Sequence, residues 1–234
     1  MSVILVFLLV IAGVAGWWLS NQRIMSKPWL EQGSVAAYPG TESGMMPTAK
    51  IGLGVFLAVV GCLFALFASA YFMRMELSDW QALPLPRLLW VNTGVLVLSS
   101  VALHLAVAAV RRDQLDTARL ALVTGGLTAL AFLAGQLIAW RELSESGYPL
   151  GANPANSFFY LLTAMHGLHI IGGLIALGRT TAKAWANVPR DQLRLSIELC
   201  AMYWHFLLFI WIGVLVLISG WAADFITICR QLLT

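Results

Sequence analysis

Six uninterrupted apolar stretches dominate the pattern of hydrophobic and polar positions along this chain of 234 residues. Each stretch is 19 to 26 residues long, which suits a helix that crosses a hydrocarbon layer of about 30 Å. None of them alternates apolar and polar residues as the strands of a membrane barrel do. The pattern therefore predicts an all-α, polytopic membrane helix bundle with six transmembrane helices. They are expected at residues 2–20, 51–73, 88–110, 120–140, 157–178 and 197–222.

The composition agrees with a membrane location and excludes a soluble domain. Hydrophobic residues make up 60% of the chain and charged residues only 11%, whereas soluble domains carry about 25% charged residues. The net charge of +3 gives no indication of a nucleic-acid partner, because in a membrane protein the placement of Lys and Arg matters more than their sum. We expect an integral membrane protein of a bacterial inner membrane that binds no nucleic acid.

The basic residues indicate how the helices are oriented. Loops 21–50, 111–119 and 179–196 together hold ten of the 14 Lys and Arg residues. Loops on the cytoplasmic side are enriched in these residues, so both termini are predicted on the non-cytoplasmic side. The first stretch lacks the basic start of a secretory signal. We therefore expect a retained N-terminal transmembrane helix with a cytoplasmic linker over residues 1–44, and a five-helix bundle over residues 45–234.

Histidines within the apolar stretches are the first candidates for chemistry. His166 and His169 lie three residues apart, and hence on one helical face, in a run of 21 residues without a formal charge. His205 lies at a similar depth in the next stretch, and two facing imidazoles can ligate a haem iron from opposite sides. They can equally form hydrogen bonds between helices. A b-type haem protein that transfers electrons itself therefore stays open as an alternative.

Glu198 is the one carboxylate inside a predicted span. It lies seven residues before His205, which places both on one face of the helix, and four residues after Arg194, which can pair with it. Its shallow depth favours structural anchoring over proton transfer. The sequence contains no H-E-x-x-H, P-loop or G-x-S-x-G motif. By itself the chain indicates a partner or scaffold, and it shows no sign of carrying a catalytic centre.

Several phrases of the chain resemble subunit III of haem–copper terminal oxidases, the cytochrome c oxidase type. FFYLLTAMHGLHIIGG is similar to the family's F-F-x-x-T-G-x-H-G-x-H phrase, and IELCAMYWHFLLFIW is similar to its closing E-A-A-x-Y-W-H-F-V-D helix. WVNTGVLVLSS resembles the family's W-x-N-T-x-x-L-x-x-S-S, and FLAVVGCLFALFASAYFMR resembles its F-L-x-S-E-x-x-x-F-x-x-x-F-x-x-Y-F helix. The matched residues are Tyr71, Arg74, Trp90, Asn92, Thr93, Ser99, Ser100, Phe158, Phe159, Thr163, His166, Gly167, His169, Glu198, Tyr203, Trp204, His205, Phe206 and Trp211.

Three acids of the family pattern are apolar in this chain. Val60 stands for the Glu of the F-L-x-S-E phrase, Ala139 for the Glu of Q-A-x-E-W, and Leu208 for the Asp of Y-W-H-F-V-D. The resemblance links the first of these acids to proton uptake. Their replacement therefore favours structural and lipid-binding work over a proton antenna at these positions.

The resemblance implies a non-catalytic accessory subunit of an oxidoreductase complex in the aerobic respiratory chain. Such a subunit would pack on the catalytic subunit I and support the stability and proton supply of the proton-translocating oxidase. It would have no haem, copper or other metal of its own, since haem and copper are expected in partner subunits. Two related partners also fit the resemblance: a nitric-oxide reductase and a quinol oxidase.

The resemblance also implies roles for particular residues. Tyr71 and Arg74 are the candidates for phospholipid contact, with the guanidinium at the head group and the phenol ring at the interface. A second set is expected to form a polar network between helices, and no catalytic residue is expected. This second set comprises His166, His169, Glu198, Tyr203 and His205.

Overall fold

The computed structural model describes residues 48–221 apart from 82 and 187, together with residues 13 and 17. The chain divides into two compact units, residues 1–45 and 46–234. The transmembrane helix predicted at residues 2–20 lies outside the described residues apart from these two positions. The count of six helices, the N-terminal segment 1–44 and the sides of the two termini therefore stay predictions.

Five long helices make up the described part of the second unit, and no strand occurs among its described residues. All five are long and apolar enough to cross a membrane, which confirms the predicted all-α membrane bundle. With 24 to 32 residues each, they span roughly 36–48 Å at the usual helical rise and exceed the hydrocarbon core. The helices are α1 (Thr48–Met75), α2 (Leu88–Arg111), α3 (Leu115–Glu145), α4 (Pro154–Trp185) and α5 (Arg190–Ile218).

Capping residues explain where α4 begins and α5 ends. The side chain of Asn153 accepts a hydrogen bond from the Ala155 N–H at 3.0 Å, and Pro154 occupies the first turn. Both features are favoured at a helix start. At the end of α5, Gly220 adopts a φ of +81°. This left-handed conformation stops the helix, and glycine adopts it without a steric penalty.

The last helix is displaced from its predicted span, 197–222, because it begins earlier and ends at Ile218, four residues before the predicted limit. The apolar run begins near residue 197, but α5 begins at Arg190, seven residues earlier. Hydropathy marks the part of a helix that suits lipid, whereas the polar first two turns continue the same helix without a breaking residue. The other four described helices contain their predicted spans and extend past them by up to seven residues.

Four of the helices form a closed ring. In it, α2 packs on α3, α3 on α4, α4 on α5, and α5 back on α2. The core of the ring contains the fully buried rings of Trp204, Trp211, Phe132 and Phe159. Antiparallel neighbours joined by short loops account for three of these contacts. The contact between α2 and α5 closes the ring and brings residues about 100 positions apart together.

Helix α1 lies outside this ring, against α4 and α5. Only Val60, Phe64 and Tyr71 of its 28 residues are buried. A helix that is apolar all round and so thinly covered by its own chain offers most of its surface to lipid or to another protein.

Candidate functional site

Glu198 binds three cations from three helices. Its carboxylate lies 2.6 Å from Lys50 Nζ of α1, 3.0 Å from Arg111 Nη2 of α2 and 3.3 Å from Arg194 Nε of its own helix. The Glu198 side chain is only 11% exposed. The pairing with Arg194 confirms the contact expected from the spacing of four. Three cations against one carboxylate leave two positive charges in excess within this cluster of four residues, which we call the Glu198 cluster.

His205 binds the neighbouring helix α2. Its Nδ1 lies 2.5 Å from Ser100 Oγ, and its ring lies 5.8 Å from that of His104. Since Glu198 also binds α2 through Arg111, the predicted common face of Glu198 and His205 is confirmed. This face meets α2, and neither side chain forms a hydrogen bond to α4 within the described part of the chain.

His166 lies in the interior between α3, α4 and α5. It is fully buried, and its Nε2–H donates to the Leu207 carbonyl of α5 at 3.0 Å. The rings of Phe132 and Trp211 pack against it, with centroids 5.7 and 5.0 Å away. The backbone bond determines which nitrogen carries the proton. With this nitrogen committed to Leu207 and His205 turned toward α2, the two imidazoles do not face each other as axial haem ligands would.

His169 and Tyr203 are also in contact, but the contact involves the backbone carbonyl of His169 and not its imidazole. The Tyr203 hydroxyl donates to the His169 carbonyl at 2.9 Å, while His169 Nδ1 donates to the Met165 carbonyl of its own helix at 2.7 Å. The five residues of the predicted network thus occupy separate places. His166 and Tyr203 join α4 to α5, whereas Glu198 and His205 join α5 to α1 and α2.

Tryptophan–hydroxyl pairs form a second set of links that the sequence analysis did not assign. Trp204 Nε1 donates to Ser99 Oγ at 2.8 Å, and the Ser99 hydroxyl donates to the Gly125 carbonyl at 2.7 Å. Trp211 Nε1 donates to Thr93 Oγ1 at 2.9 Å. A buried indole N–H needs an acceptor. The sequence signal for these links is the occurrence of tryptophans, serines and threonines inside apolar spans.

At the opposite end of α1, Arg74 pairs with Asp79. The guanidinium makes two hydrogen bonds to the carboxylate, at 2.6 and 2.5 Å. It holds the pKa of the Asp79 carboxyl below its usual range. Tyr71 is buried, and its ring packs edge-on against Trp80 at 4.9 Å and Phe158 at 5.6 Å. The two residues expected to contact lipid therefore already have protein partners.

An apolar cleft of about 320 Å³ opens between α1, α4 and α5. Leu53 and Phe56 line it on one side, and Gly172, Gly173 and Tyr203 line it on the other. Leu53 lies one helical turn from Lys50, so the cleft begins next to the Glu198 cluster. No group of three or more His, Cys, Asp or Glu residues among residues 48–221 has the arrangement of a metal site.

The sequence model of the family described as cytochrome c oxidase subunit III matches residues 24–223. A relative named "Probable cytochrome c oxidase subunit 3" from Mycobacterium bovis is 34% identical over 61% of this chain and 67% of its own length. The cytochrome c oxidase subunit 3 of Synechocystis sp. is 32% identical over 71% of this chain and 73% of its own. The cytochrome bo(3) ubiquinol oxidase subunit 3 of Pseudomonas aeruginosa is 28% identical over 53% and 59%. The chain belongs to the cytochrome c oxidase subunit III family of haem–copper oxidases.

Proposed function

We propose that this protein is the non-catalytic accessory subunit of a respiratory haem–copper oxidase and packs on the catalytic subunit I. The observation that carries this proposal is that polar side chains within the helices join one helix to another. Glu198, His166 and His205 each bind a neighbouring helix. Polar groups inside a membrane are costly and mark function when they are free, whereas here they stabilise a scaffold.

The accessory role is tested by deleting the subunit from the oxidase. The remaining complex should keep its haem spectrum and its initial oxygen-reduction rate, but it should lose activity after fewer turnovers or at a lower temperature. The purified subunit should show no Soret band. A Soret band that disappears in His166→Leu or His205→Leu would instead support a haem-binding electron carrier.

Phospholipid binding is the second part of the proposal. The cleft between α1, α4 and α5 has apolar walls, and the Glu198 cluster beside it carries excess positive charge. Apolar walls suit an acyl chain and excess cations suit an anionic head group. At Arg74 a head group would have to compete with Asp79, which already binds the guanidinium through two hydrogen bonds. Tyr71 and Arg74 stay the candidates for a lipid contact at that end.

Native mass spectrometry of the purified oxidase tests lipid binding. Lys50→Ala should lower the number of retained anionic lipids, and Arg74→Ala should do so if the other end also binds. Arg141→Ala is the matched control, because this exposed arginine pairs only with Glu145 on its own helix among the described residues. Equal lipid retention in all three variants would contradict lipid binding at either end.

Support for proton supply is the third part, and we expect it to be indirect. Val60 and Ala139 are buried in apolar surroundings, where family members carry acids. With no carboxylate there, the subunit would act by keeping the proton-uptake surface of subunit I in place. A carbodiimide that blocks carboxylates should therefore leave residue 60 unlabelled.

A quinol oxidase is the second candidate for the complex, because the relative from Pseudomonas aeruginosa is named as a subunit of one. The electron donor separates the two candidates. Oxygen consumption by the purified complex with reduced cytochrome c favours the first, and consumption with a quinol favours the second.

A further inference from the structure

Two histidines lie exposed on the outer surface of the bundle, inside the membrane span. His104 of α2 and His205 of α5 are both exposed, with ring centroids 5.8 Å apart. Ser100 binds one nitrogen of His205. The described residues offer no hydrogen-bond partner to the imidazole of His104.

The depth of the pair places it in hydrocarbon. His104 lies seven residues before Arg111, and His205 lies seven residues after Glu198, which binds Arg111. Seven residues correspond to about 10 Å along a helix, so both rings lie well inside the layer that the helices cross. Lipid chains offer no hydrogen bonds, and polar groups at such depth almost always face protein.

The pair lies beside a strip of exposed α5 residues, Met202, His205, Phe209 and Ile212. The spacing of three, four and three keeps them on one helical face. We call these four residues the α5 strip.

Small residues line both sides of the α5 strip. On α2 the exposed Gly94 has no neighbour where a Cβ would project. On α1, Gly54, Ala58, Gly61 and Ala65 share one face by their spacing, and Gly61 faces Phe206 of α5. Small residues let a further helix approach closely inside a membrane.

We propose that a transmembrane helix of another subunit of the oxidase lies on the α5 strip and directs a hydrogen-bonding side chain at the imidazoles of His104 and His205. The inference rests on the proposed function as an oxidase subunit. It identifies the surface that a partner helix covers and the chemistry that this helix brings: a carboxyl, amide or hydroxyl group. An acyl chain could cover this surface but would leave the imidazole of His104 unpaired.

Photo-crosslinking in the purified oxidase tests the location. A photoreactive side chain replaces Val101, which lies one turn from His104 and leaves both imidazoles intact. Leu168 on α4 is the control. Leu168 is also exposed. It lies at a matching depth, because the carbonyl of its neighbour His169 accepts a hydrogen bond from Tyr203, which is two residues from His205. We expect at least tenfold more crosslinking from position 101, to a different subunit identified by mass spectrometry.

Three outcomes would overturn the inference: crosslinking from position 101 to lipid alone, crosslinking to this chain itself within one copy or between two, or equal yields from positions 101 and 168. If the complex forms and the crosslinks arise elsewhere, the inference fails while the proposed function stands. If the chain does not co-purify with a haem-bearing subunit at all, the proposed function fails first.

A pair of substitutions tests the chemistry. His104→Leu keeps an apolar surface but removes the imidazole, and it should lower the amount of partner subunit that survives detergent washing several-fold. His104→Gln keeps a hydrogen-bonding group and should retain most of the partner. Because His104 is exposed, neither change should alter the folding of the isolated subunit. Equal losses in both variants, or no loss in either, would contradict the proposed hydrogen bond.

Discussion

Replacing Glu198 with Gln should destabilise the bundle more than any other single loss of an ion pair in the described chain. The substitution keeps the size of the side chain and removes its charge. Lys50, Arg111 and Arg194 then face each other without the carboxylate that now lies 2.6 to 3.3 Å from them. The cost has two sources: the lost attraction and the mutual repulsion of three cations.

The exposure of the partners determines the magnitude. Removing one member of a fully buried pair costs about 3–5 kcal/mol, whereas an exposed pair contributes about 0–1 kcal/mol. Glu198 is 11% exposed and Lys50 27%, but the two arginines are more than half exposed. The expected loss is therefore intermediate, about 2 kcal/mol. For a chain of this size that corresponds to a fall in Tm of roughly 4–8 °C.

Thermal unfolding in detergent, followed by tryptophan fluorescence, measures the effect. Glu145→Gln is the matched control, because Glu145 pairs with Arg141 in the same helix and both side chains are mostly exposed. Its Tm should change by less than about 2 °C, in line with the small value of exposed pairs. A Glu198→Gln variant that unfolds at the same temperature as this control would refute the reasoning.

A double-mutant cycle with Lys50→Met isolates the contact between α1 and α5. If the pair is coupled, the double variant loses less stability than the sum of the two single variants, by about 0.5–3 kcal/mol. Because α1 buries only three of its residues, this contact contributes a large share of what holds α1 to the ring. Strict additivity would show that apolar packing alone positions α1.

Three further predictions concern the other contacts. Gly173→Ala should destabilise the α4–α5 contact by about 1–3 kcal/mol in thermal unfolding, because its Cβ would lie 2.6 Å from an aromatic carbon of α5. Gly172→Ala, with open space at its Cβ, should stay near wild type. His166→Leu should cost about 1–2 kcal/mol in the same assay, since a buried carbonyl loses its donor. Asp79→Asn should remove the acid-side pH dependence of tryptophan fluorescence near Arg74. The lowered pKa of Asp79 means that its stabilisation is present above the unfolded pKa and is lost as the pH falls through the folded value.

The helices could be predicted because lipid imposes a simple rule on sequence. A segment that spans hydrocarbon must be apolar for about 20 residues, and the apolar runs from residue 51 onward each coincide with a helix. The rule says nothing about polar turns beyond the hydrocarbon. For this reason the start of α5 was not predicted, because its first two turns contain Arg190, Asp191 and Arg194.

Local contacts within one helix were predictable in the same way, whereas contacts between helices were not. The pairing of Glu198 with Arg194 follows from a spacing of four. Its pairing with Lys50 depends on how α1 sits against α5, about 150 positions away, and no periodicity encodes that. His205 was expected to take part in a polar network between helices, but the pattern could not name its partner, which is Ser100 of α2.

The partner of His205 shows what the apolar pattern can and cannot determine. An unpaired imidazole is costly in lipid and therefore needs a hydrogen-bond partner. Several polar groups at the same depth could serve as that partner equally well. The packing of the helices determines the partner. Because α5 packs on α2, the hydroxyls of Thr93, Ser99 and Ser100 all face α5. Because Thr93, Ser99 and Ser100 all bind α5, polar residues along α2 specify the long-range contact that closes the bundle. Replacing Thr93 with Val and Ser100 with Ala should therefore weaken the α2–α5 contact selectively, because these two hydroxyls bind Trp211 and His205 of α5, and chemical crosslinking between α2 and α5 should fall while crosslinking between α2 and α3 persists.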